Sequence, residues 1–320
     1  MQILVKGLSH IRELSFKIRV ISLNWCLITA AMAIKSKRKK IIALLIFCFF
    51  IFWLVQAQRT MKFRETDEQA KKEFNSLGIN LVAKVIRAGN FNLHYVQVGN
   101  DTFPTLFFVH GSPGSWNVFK RYLQDKDLLG RYRMIAVDRP GFGYSEFNNA
   151  KNLHDQAKII GFLLHSIQNN RPVFLVGHSL GGPLITKLDL DNPDLISGLV
   201  ILAGSLDPKA EKREKWRPVL FKTPLKYFVP GAWRPSNEEL WYLKKDLEEL
   251  DKNLDRITSS VWLIHGDRDN LVPISNVSYA KEKLKNAKRV EIKILPNANH
   301  FIPWTHFKEI KEVLLNLSQQ

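Results

Sequence analysis

One stretch restricts the fold of this chain more than any other: Val176-Gly177-His178-Ser179-Leu180-Gly181-Gly182. A run rich in strand formers, Pro172 to Val176, stops at a serine fenced by glycines, and a helical pattern takes over from Leu180 to Leu190. A strand that turns into a helix through a single serine closes only if neighbouring side chains are absent, which Gly177 and Gly181 provide. This is the pattern of a nucleophile elbow, Gly-x-Ser-x-Gly. The pentapeptide alone also describes an ordinary loop serine, so its context has to decide.

That context is a regular alternation. Leu81 to Ile86 and Phe91 to Val98 read as a hairpin around Ala88-Gly89-Asn90, with apolar and polar residues alternating on either side of the turn. Leu106 to Val109 is apolar throughout, as suits a strand covered on both faces. Further strands fall at residues 134–137, 173–176, 199–202, 261–264 and 290–295. Helical patterns at 116–124, 153–168, 180–190, 275–285 and 307–317 separate most of them. The pattern predicts an α/β fold, a doubly wound, mostly parallel eight-stranded sheet led by an antiparallel hairpin. Between Gly204 and Arg256 the rhythm breaks into five prolines and a helical stretch, Asn237 to Leu250. An insertion of that kind at the C-terminal edge of a sheet predicts a helical lid, so the core spans 81–203 and 257–320 and the lid 204–256.

The N-terminus follows other rules. Ile41 to Ala57 is almost wholly apolar and directly follows Lys35-Ser36-Lys37-Arg38-Lys39-Lys40. This predicts a transmembrane signal anchor at 41–57, with residues 58–80 as a stalk, and the partner of that segment is a membrane. By the positive-inside rule the basic cluster stays in the cytoplasm and the folded domain lies on the extracytoplasmic side, periplasmic or extracellular. Val55-Gln56-Ala57 leaves the alternative of secretion after cleavage near Ala57. Residues 1–31 form a weakly amphipathic basic stretch ahead of Met32, which itself resembles the start of an anchor, so 1–31 read as a misassigned start.

Charge narrows the partners. The formal net charge is +17, but residues 1–40 hold nine Lys or Arg against Glu13 alone, and the remaining excess is scattered and without a base-stacking motif. Nucleic acid is therefore not an expected partner. Both cysteines, Cys26 and Cys48, precede the domain, which excludes a disulfide, a zinc–thiolate site or a cysteine nucleophile within it.

Five motifs at strand ends give the chain its resemblance: His110-Gly111-Ser112-Pro113-Gly114, Asp138-Arg139-Pro140-Gly141-Phe142-Gly143-Tyr144-Ser145, the elbow, Gly266-Asp267-Arg268-Asp269, and Asn299-His300. In that order, over roughly residues 85–318, they resemble the α/β-hydrolase superfamily with a serine nucleophile and a small cap. The resemblance implies Ser179 as nucleophile, Asp269 as acid and His300 as base, with the backbone amides of Ser112 and Leu180 as oxyanion hole. It implies a small-molecule carbonyl substrate and neither a metal nor an organic cofactor. The chemistry fits those residue types. A serine hydroxyl needs a base, and an imidazole with a pKa of about 6.5 can take its proton at neutral pH. The carboxylate fixes the tautomer of the imidazole. Asp267 and Asp207 compete with Asp269 for that role, and His110, His178 and His265 read as structural neighbours.

Epoxide hydrolases and haloalkane dehalogenases of the superfamily carry a stretch similar to Asp138–Ser145 but use an aspartate nucleophile. Serine at 179 argues against both activities, and Arg139 is expected to bridge loops. Trp116 and Phe142 are expected to bind substrate, and Trp216, Trp233 and Trp241 are further candidates for an acyl pocket. The leading expectation is a serine hydrolase acting on an ester, thioester or lactone through an acyl-enzyme. The alternatives are C–C bond hydrolysis or aminopeptidase-like cleavage by the same triad, and an inactive membrane-tethered binding protein.

Overall fold

The structure, a computed structural model, describes residues 37–317, so the reading of residues 1–31 as a misassigned start, and Cys26 with them, lies outside the described residues. The chain divides after Ala57. Helix α1, Lys37–Thr60, has 24 residues, about 36 Å at 1.5 Å per residue, against a hydrocarbon core of about 30 Å. Leu44, Leu45, Ile46, Phe47 and Phe49 are 60–69% exposed, the reverse of a helix buried in a protein core. Such a helix suits a membrane anchor or a signal segment.

The second unit is built on one eight-stranded sheet. Its strands are β1 Val82–Ala88, β2 Phe91–Val98, β3 Thr105–Val109, β4 Arg133–Val137, β5 Val173–His178, β6 Gly198–Leu202, β7 Ser260–Gly266 and β8 Arg289–Leu295. The order is β1-β2-β4-β3-β5-β6-β7-β8, antiparallel at β1/β2 and β2/β4 and parallel elsewhere. The hairpin closes where Ala88 pairs with Phe91, and Gly89 takes the φ of +62° that this tight turn demands. β3, β4, β5 and β6 are buried along their whole length, as their continuous apolar runs predict. Their side chains alternate between two cores. Phe107 and Val109 join Leu163, Leu184 and Leu247 on one face of the sheet, while Leu106 and Phe108 join Phe74, Tyr122 and Phe307 on the other.

Helices cover both faces: α2 Asp67–Ser76, α3 Lys120–Leu123, α4 Lys126–Leu129, α5 Leu153–Ser166, α6 Gly181–Asp191, α7 Arg217–Lys222, α8 Trp233–Asp251, α9 Ser275–Lys283, α10 Ile302–Thr305 and α11 Phe307–Asn316. The short α4, α7 and α10 add to the expected helices, and three others differ from expectation. The segment read as a stalk contains α2, which Thr66 and Gln69 start with a capping box and which buries Ala70 and Phe74 fully. The pattern over 116–124 divides into a 3-10 turn, Trp116–Phe119, and the short α3. In the insertion, α8 begins four residues before Asn237, because Pro235 falls in its first turn, where a missing N–H breaks no helical bond.

Candidate active site

Ser179 follows the last residue of β5 with φ +54°, in the left-handed region. Two glycines make that turn possible. A Cβ on Gly177 would lie 2.3 Å from the Gly181 carbonyl oxygen, and one on Gly181 would lie 2.4 Å from that of Val109. The Ser179 N–H donates to the Leu202 carbonyl (2.9 Å) and its own carbonyl accepts from the Gly182 N–H (2.8 Å), so β6 and α6 hold the elbow from both sides.

The loop after β3 presses on the elbow, since a Cβ on Gly111 would meet the Ser179 Cβ at 2.9 Å. His110 is fully buried and its tautomer can be read from its partners. Nε2 accepts from the Arg139 N–H (3.0 Å), so Nδ1 carries the proton and donates to the Gly111 carbonyl (2.7 Å). Burial, then the Arg139 charge, hold the His110 pKa well below its usual value. Arg139 Nη2 donates to the same carbonyl (3.0 Å). The Gly111 C=O and the Ser112 N–H belong to one planar peptide, so two donors on that oxygen fix where the Ser112 N–H points. Leu180 is buried at the start of α6, beside Ser179.

Asp269 and His300 come from the loops after β7 and β8. His300 Nδ1 donates to Asp269 Oδ2 (2.7 Å), while Asp269 Oδ1 accepts from the amides of Leu271 (2.9 Å) and Val272 (2.8 Å). Burial pushes the Asp269 carboxyl up, but the His300 bond and these amides outweigh it and the pKa falls below its usual value. Asp267 and Asp207, the competing carboxylates, do not reach His300. Asp267 is exposed, and Asp207 bonds within its own turn, accepting from the Lys209 N–H. His178 connects the elbow to His300: its Nε2–H donates to the His300 carbonyl (3.0 Å) and the two rings lie tilted at 41° with centroids 4.9 Å apart. Burial, then the His300 ring, drive its pKa to about 3, so His178 is neutral. His265 donates to the Val272 carbonyl (2.9 Å) and lies 3.5 Å from Asp269, with burial lowering its pKa too. The structure thus joins Asp269 to His300 directly and His300 to the elbow through His178. Among the described residues no hydrogen bond ends on Ser179 Oγ.

Residues 104–228 match the α/β-hydrolase fold family. The pimeloyl-[acyl-carrier protein] methyl ester esterase of Vibrio vulnificus is 30% identical over 248 residues, which covers 66% of this chain and 89% of that protein. The chain belongs to the α/β-hydrolase family. Other relatives match in part: the uncharacterized hydrolase YugF of Bacillus subtilis is 31% identical over 139 residues, 43% of this chain and 48% of that one. The chain spans about half or less of the length of the first curated relatives it matches, down to 35% for an epoxide hydrolase of Caenorhabditis elegans. Among solved structures, a bacterial membrane phospholipase A superposes with a TM-score of 0.58 at 18% identity over 89% of this chain and 98% of that chain.

In this α/β-hydrolase the two aromatics expected to bind substrate sit behind the site instead. Trp116 is 1% exposed and packs on Phe74 of α2, while its backbone N–H donates to Asp138 Oδ1 (2.8 Å). Phe142 is fully buried, edge-on to the His110 ring at 5.6 Å and beneath the Arg139 guanidinium at 4.8 Å. Both pack behind the loops after β3 and β4 rather than lining an open pocket. A cleft of about 250 Å³ does lie between α5, α6 and α8, beside Leu153, Asp246 and Arg256, away from the elbow.

The residues that sequence reasoning passed over belong to the lid. Arg139, expected to bridge loops, reaches beyond them: Nη1 donates to Glu239 Oε2 (2.7 Å) and Gln156 Oε1 (2.8 Å), and Nη2 to Glu239 Oε1 (2.9 Å). Ser112 Oγ donates to Ser236 Oγ (2.8 Å) in the first turn of the same lid helix, α8. Another buried histidine, His94, is clamped between Asp138 (2.8 Å) and Asp67 (3.1 Å) and ties α2 to the loop after β4.

Proposed function

We propose that this protein is a serine hydrolase that cleaves an ester, thioester or lactone through an acyl-enzyme, with Ser179 as nucleophile, His300 as general base and Asp269 as the acid that orients it. The 2.7 Å hydrogen bond from His300 Nδ1 to a buried Asp269 carries this reading, because it leaves Nε2 as the unprotonated nitrogen that a serine proton requires. Attack of Ser179 Oγ on the carbonyl carbon transfers the hydroxyl proton to His300 Nε2 and places negative charge on the carbonyl oxygen. The amides of Ser112 and Leu180 receive that oxyanion. Collapse expels the alcohol or thiol, which takes the proton from His300, and water repeats the sequence to release the acid and free Ser179. The surrounding histidines suit this cycle. His110, His178 and His265 all have lowered pKa values, so the imidazolium that forms transiently on His300 faces no other cation among them.

Names among the relatives leave the leaving group open. A pimeloyl methyl ester esterase supports ester cleavage, and a neighbouring structure, a 2-hydroxy-6-oxo-6-phenylhexa-2,4-dienoate hydrolase at 18% identity, keeps C–C bond hydrolysis as the alternative. Membrane attachment through residues 41–57, with the hydrolase unit extracytoplasmic, is part of the proposal and rests on α1 and the basic cluster before it. The test is labelling by a fluorophosphonate together with turnover of short-chain p-nitrophenyl esters. Both are expected for the parent and absent in Ser179→Ala. A labelled Ser179→Ala protein refutes the assignment, and turnover of a vinylogous diketone with esters inert favours the C–C reading.

A further inference from the structure

The lid presents a face that the chemistry at Ser179 does not use. Along α7 and the turns that follow it, Trp216, Val219, Leu225, Tyr227, Phe228 and Trp233 are each 44–59% exposed. The elements that carry them pack together. The turn at Pro224–Tyr227 packs on α7, which packs on α8, and the Arg234 guanidinium lies 5.8 Å from the Tyr227 ring. Phe63, itself 41% exposed, meets Trp233 edge-on at 6.3 Å. Cations lie against its rings, Arg217 over Trp216 and Lys226 over Tyr227, and residues 209–228 carry seven lysines or arginines against two glutamates. Soluble proteins rarely leave so many large apolar side chains side by side, and aromatics mixed with cations match the boundary between phospholipid headgroups and acyl chains.

A second observation locates the lipid. Gln58 Nε2 donates to the carbonyls of Tyr227 (3.1 Å) and Val229 (2.9 Å), and its Oε1 accepts from the Gly231 N–H (3.0 Å). The Met61 carbonyl accepts from the Ala232 N–H (2.8 Å), an approach that only glycine at 231 allows, since a Cβ there would fall 2.2 Å from that oxygen. The first residues of the second unit, Gln58 and Met61, are therefore bonded to the turn that carries the exposed aromatics.

We propose that this lid face docks on the surface of an anionic phospholipid bilayer, its aromatic and aliphatic side chains entering the headgroup boundary and its cations contacting lipid phosphates. The proposal rests on residues 41–57 spanning that bilayer and does not depend on turnover at Ser179. Trp233 on the docking face and Glu239, bonded to Arg139, are six residues apart on α8, about 9 Å of helix rise, so docking holds the helix that carries Glu239 at the bilayer surface.

The test uses the full chain with Cys26 and Cys48 replaced by serine and one cysteine introduced at a time, at Val219, Leu225 or, as a control on edge strand β8, Ile292. Each is labelled with the fluorophore NBD and reconstituted in vesicles of phosphatidylcholine and phosphatidylglycerol. All three positions are at least 39% exposed, so the label disturbs no core. The expected result is blue-shifted emission at 219 and 225 that loses most of its intensity to doxyl-labelled lipid, with the label at 292 remaining aqueous. Replacing phosphatidylglycerol by phosphatidylcholine should weaken that quenching, and equal quenching overturns the assignment to an anionic surface. Labels at 219 and 225 as open to aqueous iodide as the one at 292 overturn the proposal. So does protection from iodide without quenching by doxyl lipid, which assigns the face to a second copy of this chain.

Discussion

Glu239→Gln is the substitution that most directly probes how the lid supports the site. Arg139 and Glu239 are 0% and 2% exposed and share two hydrogen bonds, at 2.7 and 2.9 Å. Removing one partner of a buried ion pair costs about 3–5 kcal/mol, because the other charge stays buried and uncompensated. Arg139 keeps Gln156 and the Gly111 carbonyl, and glutamine preserves the shape of the site, so the expected loss is at the lower end, about 3 kcal/mol. For a unit of this size that lowers the melting temperature by about 6–12 °C. The assay is a thermal melt in detergent followed by far-UV circular dichroism, paired with kcat on a soluble ester. Displacing Arg139 also loosens the Gly111 peptide, so kcat is expected to fall by about tenfold, a fraction of the 10²–10³ lost with a whole oxyanion donor. The double variant Arg139→Met with Glu239→Leu should regain at least half of the stability, since an apolar pair can replace a buried ionic one, while kcat stays low. A Glu239→Gln protein within about 1 kcal/mol of the parent, or a double variant no more stable than the single one, refutes the reasoning.

Further substitutions test the elbow and the lid separately. Ser179→Gly removes a side chain held at φ +54° and is expected to raise stability by about 1 kcal/mol while abolishing turnover, as chemical denaturation and an ester assay would show. Gly111→Ala places a Cβ 2.9 Å from that of Ser179; kcat should drop with KM little changed, and unchanged kcat would mean the loop yields without cost. Asp246→Asn tests a carboxyl that burial raises to about 7. Its folded pKa lies above the unfolded one, so ionisation destabilises the fold as pH rises from about 4 to about 7. The asparagine retains an oxygen for the Leu153 N–H (2.9 Å); the variant should melt above the parent at pH 8, and the difference should vanish toward pH 4.

What the sequence discloses and what it hides divide by distance along the chain. The elbow, the hairpin at Gly89 and the buried strands are encoded within a few residues each, as glycines at fixed offsets or continuous apolar runs, and the structure has them where the pattern predicts. Glu239 gives no such signal. It sits in the charged run Glu238-Glu239-Leu240 of a lid helix, which reads as a solvated face, and its partner Arg139 is 100 residues earlier. Trp116 misleads for a related reason. An aromatic beside a glycine-rich loop suggests a pocket wall, but its neighbour Phe74 comes from a segment whose polar composition reads as a stalk. Only two of the ten residues of α2 are buried, so its apolar stripe is too narrow to announce that it docks.

The Gly111 peptide unites these scattered contributions. Its carbonyl receives His110 Nδ1–H and Arg139 Nη2–H, and each donor is held in turn, His110 by the Arg139 backbone N–H and Arg139 by Glu239 and Gln156. Because the peptide is planar, fixing that oxygen fixes the opposed N–H of Ser112 without any contact on the N–H itself. A site arranged this way sets the direction of the Ser112 N–H, the proposed oxyanion donor, from behind. The same support runs through α8, whose first two turns supply Ser236 and Glu239. A lid so connected does more than cover: its position and the aim of the Ser112 N–H are one mechanical variable, so under the proposed function whatever moves α8 relative to the sheet is expected to change turnover at Ser179.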